Sequence, residues 1–519
     1  MTNDVRLPFD PETRPSDEAA RPVPDAAARR AAVDPRRNIV LEASAGTGKT
    51  RVLVDRYLNL LRAGVDPRNI LAMTFTRKAA AEMRQRIVDQ LRAAALRSPD
   101  DAQRWRGLRD RLNEIAISTI DAFCLALLRE FPLEADLDPG FDIADQTEVP
   151  RLVEESLDQT LRICRARART REDIALLFAE LGEPRLRAGL AALLERRIVA
   201  ASVLRRVLPH SARRLTVAEA CRHGVERVAS VLTAMPGGVE AFLDAGPVHH
   251  ARFAILAREI RALIAAGSSA DPDRVLLDPA GLRGRVNRLQ AHFFTQAGTP
   301  RKKSTEYRKT DFPTSDAARA HWATVTDAAP QLERALRALR RDLNGILARG
   351  VWHAFGIALD RYRRTLETHG VLDFGELLVR TQALLGNMDE FARSRYLLEA
   401  RYHHVLVDEF QDTSRAQWEL VSLLVRTWSE GIGLSHDVPL APSIFIVGDR
   451  KQSIYGFRDA EGSVLDEAAS AVAQLRPDDD PLKSISNSFR SVAPLLAFAN
   501  DVFADIEKAG DRPDRKSVV

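Results

Sequence analysis

The segment EASAGTGKT, residues 42–50, constrains the fold of this chain more than any other stretch. A short apolar run, 38–43, leads into a turn rich in small residues. Lys49 to Ala63 follows, with Val52, Leu53, Leu60 and Leu61 at helical spacing. This is a strand–loop–helix unit. Its spacing matches the phosphate-cradling pattern G-x-x-x-x-G-K-[ST], with Ala43 in place of the first glycine. In such a loop the backbone N–H groups of Ser44, Ala45, Gly46, Thr47 and Gly48 face an anion at a helix N-terminus. Lys49 reaches the β- and γ-phosphates, and the Thr50 hydroxyl ligates Mg²⁺. The bland alternative is a glycine-rich turn that merely caps a helix.

A phosphate loop of this kind needs a carboxylate on another strand to hold the metal. The apolar run 404–407 ends in Asp408 and Glu409, which supply it. Asp408 suits Mg²⁺ ligation and Glu409 suits general-base activation of a water. The competing explanation is a helix N-terminus with acidic first-turn residues. Further apolar runs at 70–75, 115–118 and 443–448 alternate with helical patterns, which indicates a parallel sheet covered on both faces. Between 132 and 370 the texture is rich in Ala, Leu and Arg and helical throughout, with breaks at Gly237–Gly238, 267–273 and 297–313.

Composition excludes several classes. Lys and Arg number 76 against 72 Asp and Glu, so the net charge is only +4 over 519 residues and by itself points to no partner. No apolar run approaches the roughly 18 residues of a membrane helix. Three scattered cysteines, Cys124, Cys164 and Cys221, make no disulfide framework or cysteine-based zinc site and suit a reducing, cytoplasmic setting. The first 24 residues read as a disordered leader without a signal peptide.

Six ordered segments resemble the UvrD/Rep/RecB group of superfamily 1 DNA helicases. They are EASAGTGKT (42–50), LAMTFTRKAAAEMRQRI (71–87), STIDAFC (118–124), HHVLVDEFQDTS (403–414), IFIVGDRKQSIYGFRDA (444–460) and SNSFRS (486–491). VLDFGELL (371–378) also resembles a family segment. The resemblance implies a RecA-like P-loop NTPase fold of class α/β: one lobe over 25–131 and 371–475, a large α-helical insertion subdomain over 132–370, and a truncated second RecA-like lobe from 476 to 519. It implies ATP and Mg²⁺ as cofactors, and single-stranded DNA and a duplex junction as partners. The activity it implies is 3′→5′ helicase translocation.

The same resemblance assigns roles by position. Thr74, Thr76 and Arg77 correspond to contacts with the DNA backbone, and Thr119 and Phe123 to another single-strand contact. Gln452 corresponds to a γ-phosphate sensor, with Tyr455, Phe457 and Arg458 on the adjoining DNA-facing turn. Phe489 corresponds to an aromatic that stacks on adenine, and Arg490 to an arginine that stabilises γ-phosphate charge. Aromatics stack on bases without sequence preference and guanidinium groups bind phosphates, as a motor on arbitrary DNA requires. Core packing remains the alternative for Tyr455, Phe457 and Phe123, and plain strand propensity for Thr74 and Thr76.

Departures from the family pattern matter too. Arg29 stands where the family has an adenine-reading Gln. Asp121 is an anion where a phosphate contact is usual, so it is left out of the DNA-binding set. The wording of EASAGTGKT and the long insertion resemble the RecB/AddA branch, which implies double-strand-break repair and a second, AddB/RecC-like helicase-nuclease subunit. The chain ends at Val519, which creates the expectation of a truncated piece of a larger helicase, weak alone. A non-motor P-loop ATPase switch and an ATP-independent DNA-binding fragment are the rival expectations. The basic loop 301–309 is either a contact near the duplex or a solvated loop. His403 and His404 are expected to pack rather than ligate.

Overall fold

The computed structural model describes residues 25–207, 215–267, 279–387, 397–398, 400–426, 428, 439–453, 463–476 and 479–504. Two compact units emerge, Met1–Phe141 with Phe374–Val519, and Asp142–Asp373. The strands in chain order are β1 (Ile39–Ala43), β2 (Ile70–Thr74), β3 (Ile117–Thr119), β4 (Asp142–Ile143), β5 (Val371–Leu372), β6 (His404–Val407), β7 (Ser443–Gly448) and β8 (Leu482–Ile485).

In the first unit six strands form one sheet in the order β3-β2-β6-β7-β1-β8. Each neighbouring pair is parallel. Strands β2, β6 and β7 are buried along their whole length, as a sheet with helices on both faces demands. The core beneath β1 collects Leu53, Tyr57 and Leu60 from the helix Lys49–Arg62 with Ile87 and Phe445. Arg56, in the same helix, is buried at 1% exposure. It is compensated by donating to the carbonyls of Ala32, Asp34 and Arg37 and to Ser443 Oγ. These bonds tie the chain entering β1 to the helix that leaves it.

Two boundaries differ from those expected. Residues 132–141 stay with the first unit, where Phe131, Ala135 and Phe141 are buried. Strand β8, expected to open a second lobe, instead pairs with β1 through the register Val40↔Leu482 to Ala43↔Ile485. The pairing supplies partners to the backbone of β1, which would otherwise be a sheet edge.

Among its described residues the second unit is helical apart from the short pair β4–β5. Its axis is the helix Ser315–His369, capped by Thr314 Oγ1, which accepts from the Ala317 N–H at 3.0 Å, and closed by left-handed Gly370 at φ 65°. One core along this helix gathers Val225, Leu232, Phe253, Leu289 and Leu332; another gathers Leu157, Leu177, Phe355 and Tyr362. Gly350 permits the close crossing, because a Cβ there would lie 2.4 Å from the Asp173 carbonyl oxygen. Among the described residues no helix is long and apolar enough to cross a membrane.

Candidate functional site

The parallel strands of the first unit bring the functional side chains to their carboxyl ends, the usual ligand edge of such a sheet. After β1, Gly46 and Gly48 adopt φ of 76° and 86°, a left-handed conformation that glycine reaches without a Cβ clash. Thr47 is buried and its hydroxyl donates to the Ser44 carbonyl at 2.7 Å, closing the loop on itself. Ser44 N–H donates to the Ile485 carbonyl at 3.3 Å, so β8 supports the loop from below. Lys49 and Thr50 begin the helix Lys49–Arg62. The loop and helix N-terminus thus form an anion cradle.

Lys49 Nζ lies 3.2 Å from Glu409 Oε2 and 3.4 Å from Gln452 Oε1. Three motifs separated by some 360 and 403 positions therefore converge on one ammonium. Glu409 is held in the left-handed region at φ 51°, unusual for a residue with a Cβ. Gln411 Nε2 donates to its Oε2 at 2.6 Å, while Gln411 Oε1 accepts from the Asp449 N–H at 2.9 Å. Gln411 thus braces the acidic loop against the end of β7. A Cβ on Gly448 would sit 3.0 Å from Gln411 Oε1, so this brace needs the glycine. Sequence reading passed over Gln411, although its place two residues after Glu409 was the available signal.

Burial pushes the Asp408 carboxyl up to about 6, with the neighbouring Glu409 charge adding to it; the Glu409 N–H and the cations Lys49 and Arg86 pull the other way. Asp412 is raised to about 6 by burial and by Glu409. Asp412 Oδ1 is buried without a hydrogen-bond partner. Partly desolvated and beside the like charge of Glu409, these carboxyls suit a hard divalent cation bound next to a nucleotide. The described residues hold no ready-made cage of three or more His, Cys, Asp or Glu. Mg²⁺ needs none, because one or two carboxylates, water and phosphates complete its shell.

The other expected residues divide. Thr74 ends β2 beside the acids, since the Asp408 N–H donates to the Met73 carbonyl at 2.9 Å. Its hydroxyl is buried without a partner. Thr76 caps the helix Arg77–Ala95, with its hydroxyl accepting from the Ala79 N–H at 3.0 Å, and Arg77 is exposed. Thr119 caps the helix Ile120–Glu130 and is buried. Phe123 is 3% exposed and packs edge-on to Tyr402 at 5.7 Å. Its helix, Ile120–Glu130, packs on the helix Phe374–Gly386, and the ring is buried. Tyr455, Phe457 and Arg458 lie outside the described residues.

The segment after β8 lies directly on the phosphate loop. The Phe489 N–H donates to the Gly46 carbonyl at 2.9 Å, and Phe489 is 63% exposed. A Cβ on Gly46 would meet Ser488 Oγ at 2.6 Å and Arg490 Cβ at 2.8 Å, which places Arg490 against the loop. Arg29 is a further finding. Its guanidinium pairs with Asp25 at 2.7 Å, donates to the carbonyls of Thr47 and Asn487 and lies 4.9 Å over the Phe489 ring. Asp25 Oδ2 in turn accepts from the Ser486 and Asn487 N–H groups, each at 3.1 Å. This pair clamps the phosphate loop to the 486–489 segment across some 460 positions. His404 is buried with Nδ1 2.9 Å from Ser443 Oγ, a packing role.

Comparison with known proteins places the chain in a family. The model of the UvrD/REP helicase N-terminal domain matches residues 25–473. Similar curated proteins are named as a subunit of an ATP-dependent helicase/nuclease. That of Bacillus velezensis is 28% identical over 91% of this chain and 38% of its own length. That of Geobacillus thermodenitrificans is 30% identical over 91% of this chain and 38% of its own length. The chain thus spans well under half the length of these relatives. With the family match covering most of the sequence, the chain belongs to the UvrD/REP helicase N-terminal domain family.

Proposed function

We propose that this chain is the ATP-binding motor lobe of an AddA-like helicase/nuclease, using ATP hydrolysis to drive 3′→5′ movement on single-stranded DNA and duplex separation in double-strand-break repair and recombination. The observation that carries the reading is the meeting of Lys49 with Glu409 and Gln452 at the carboxyl end of the sheet. Phosphates seated on the loop compete with Glu409 for the Lys49 ammonium. Lys49 then pairs with β- and γ-phosphate oxygens, and Glu409, braced by Gln411, is released to take the proton of an attacking water. Thr50 and Asp408 would hold Mg²⁺, which would supply charge neutralisation at the phosphates.

Gln452 reports the γ-phosphate, Arg490 adds charge against it, and Phe489 supports the base. Because the Arg29 donors already serve Asp25, Thr47 and Asn487, we assign Arg29 to holding the loops together. Thr74, beside the acids on β2, and Thr76 and Arg77, at the start of the following helix, fit a DNA track coupled to the nucleotide. A partner protein resembling AddB or RecC belongs to this reading.

The test is single-turnover ATP cleavage with and without single-stranded DNA. Glu409→Gln should abolish DNA-stimulated cleavage while nucleotide binding persists. Cleavage retained in that variant rejects Glu409 as the base. A wild-type chain that binds nucleotide with no response to DNA favours the non-motor switch, and one that binds DNA without nucleotide favours the scaffold.

A further inference from the structure

In the second unit the loop 301–309 stands between two cavities, of about 340 and about 560 Å³, which share Ser304, Tyr307 and Trp322 in their walls. The larger is ringed by Lys302, Lys303, Arg308, Lys309 and Arg319, with no Asp or Glu in its lining. Lys302, Lys303 and Lys309 are exposed and make no ion pair among the described residues. Arg319 is paired with Asp316, which leaves the three lysines as the like charges whose mutual repulsion a polyanion relieves.

The aromatic wall is held from behind. His321 Nδ1 faces the Phe242 carbonyl at 3.1 Å and so carries the proton; its Nε2 then accepts from His292 Nε2–H at 3.0 Å. His292 Nδ1 is left to accept from the Tyr307 hydroxyl at 3.3 Å. Burial keeps both rings neutral, pushing His292 down to about 3 and His321 to about 4. Trp322 stacks on His292 at 5.5 Å. Tyr307 and Trp322 are therefore fixed, yet each remains partly exposed.

We propose that the larger cavity binds a single-stranded nucleic-acid segment, one base lying against Tyr307 and Trp322 and its flanking phosphates against Lys302, Lys303 and Lys309. Its volume lies within the range of about 300–1,000 Å³ usual for small-ligand pockets and suits one nucleotide. Only an unpaired base offers its face to an aromatic wall, which argues for a single strand over a duplex. Cations at both ends of the loop, 302–303 and 308–309, match successive phosphates better than the compact cluster of a free nucleotide. The site lies wholly within the second unit and is independent of the P-loop reading.

The experiment titrates the full chain, without ATP, into a fluorescein-labelled dT15 strand by anisotropy between 50 and 300 mM KCl, roughly the span in which phosphate contacts weaken. A second arm crosslinks the same strand carrying 5-iododeoxyuridine and maps the peptide. Lys302→Glu/Lys303→Glu/Lys309→Glu should weaken binding at least about tenfold and lower the salt slope by about 2, since each single-strand phosphate contact contributes about 0.7. The crosslink should map to Tyr307 or Trp322, and Trp322→Leu should remove it. Unchanged affinity and slope, with crosslinks confined to the first unit, overturn the proposal. So does tighter binding of a duplex probe, or displacement of the strand from this cavity by millimolar ATP.

Discussion

Gly46→Ala is the sharpest perturbation of the contact between the phosphate loop and the segment after β8. At φ 76° an alanine is strained by about 1–2 kcal/mol. Its Cβ would also stand 2.6 Å from Ser488 Oγ and 2.8 Å from Arg490 Cβ, distances that real contacts do not tolerate. The segment must lift, and the bond from the Phe489 N–H to the Gly46 carbonyl, worth about 1 kcal/mol, goes with it. The strain is present docked or undocked, so the bias against docking comes from the clash and the lost bond, at least about 1 kcal/mol, or roughly fivefold and more in the docking equilibrium.

Hydrogen exchange at the Phe489 amide reads that equilibrium, and the variant should exchange faster by at least that factor. Gly48→Ala serves as the control. It carries the same kind of strain at φ 86°, but its Cβ would meet only Arg51 Cβ at 3.9 Å. Phe489 protection should survive there. Equal exchange in Gly46→Ala and wild type, or equal loss in both variants, refutes the account of docking.

Phe123→Ala should destabilise the first unit by about 3–5 kcal/mol in denaturant titrations, because it empties a core site, and leave single-strand affinity unchanged; weakened DNA binding at intact stability contradicts the packing role. The second unit should lose stability in acid. The folded His292 titrates near 3 and the unfolded ring near 6.5, so the unfolded chain takes the proton first as pH falls. The stability present above pH 6.5 declines below it, by about 2 kcal/mol at pH 5. His292→Phe should flatten that part of the profile, and a profile identical to wild type argues against a buried neutral histidine.

Residues contiguous in the chain were the legible part of this protein. The loop 43–50 and the pair Asp408–Glu409 each carry their chemistry in one short segment, and alternating apolar runs foretold the parallel sheet around them. Positions joined through space were not legible. Strand β8 pairs with β1 across most of the chain, and nothing in LKSI, half-exposed at a sheet edge, separates it from a strand of another lobe. The Asp25–Arg29 clamp reads locally as a helical ion pair; its hold on Thr47, Ser486 and Asn487 exists only once β1 and β8 are neighbours. The burial of Phe123 was not legible for a related reason, since a motif conveys residue type and spacing but not which face of a helix the core covers. The short strands β4 and β5, two residues each, are below what any periodicity reveals.

The central claim is that the Lys49 ammonium, now shared between Glu409 and Gln452, exists to bind nucleotide phosphates. Equilibrium binding of a fluorescent ATP analogue with Mg²⁺, to wild type and to Lys49→Ala, tests it most directly. Loss of a charge-assisted contact of about 1.5–3 kcal/mol predicts affinity weaker by roughly 10- to 150-fold in the variant. Equal affinity in the two proteins contradicts it.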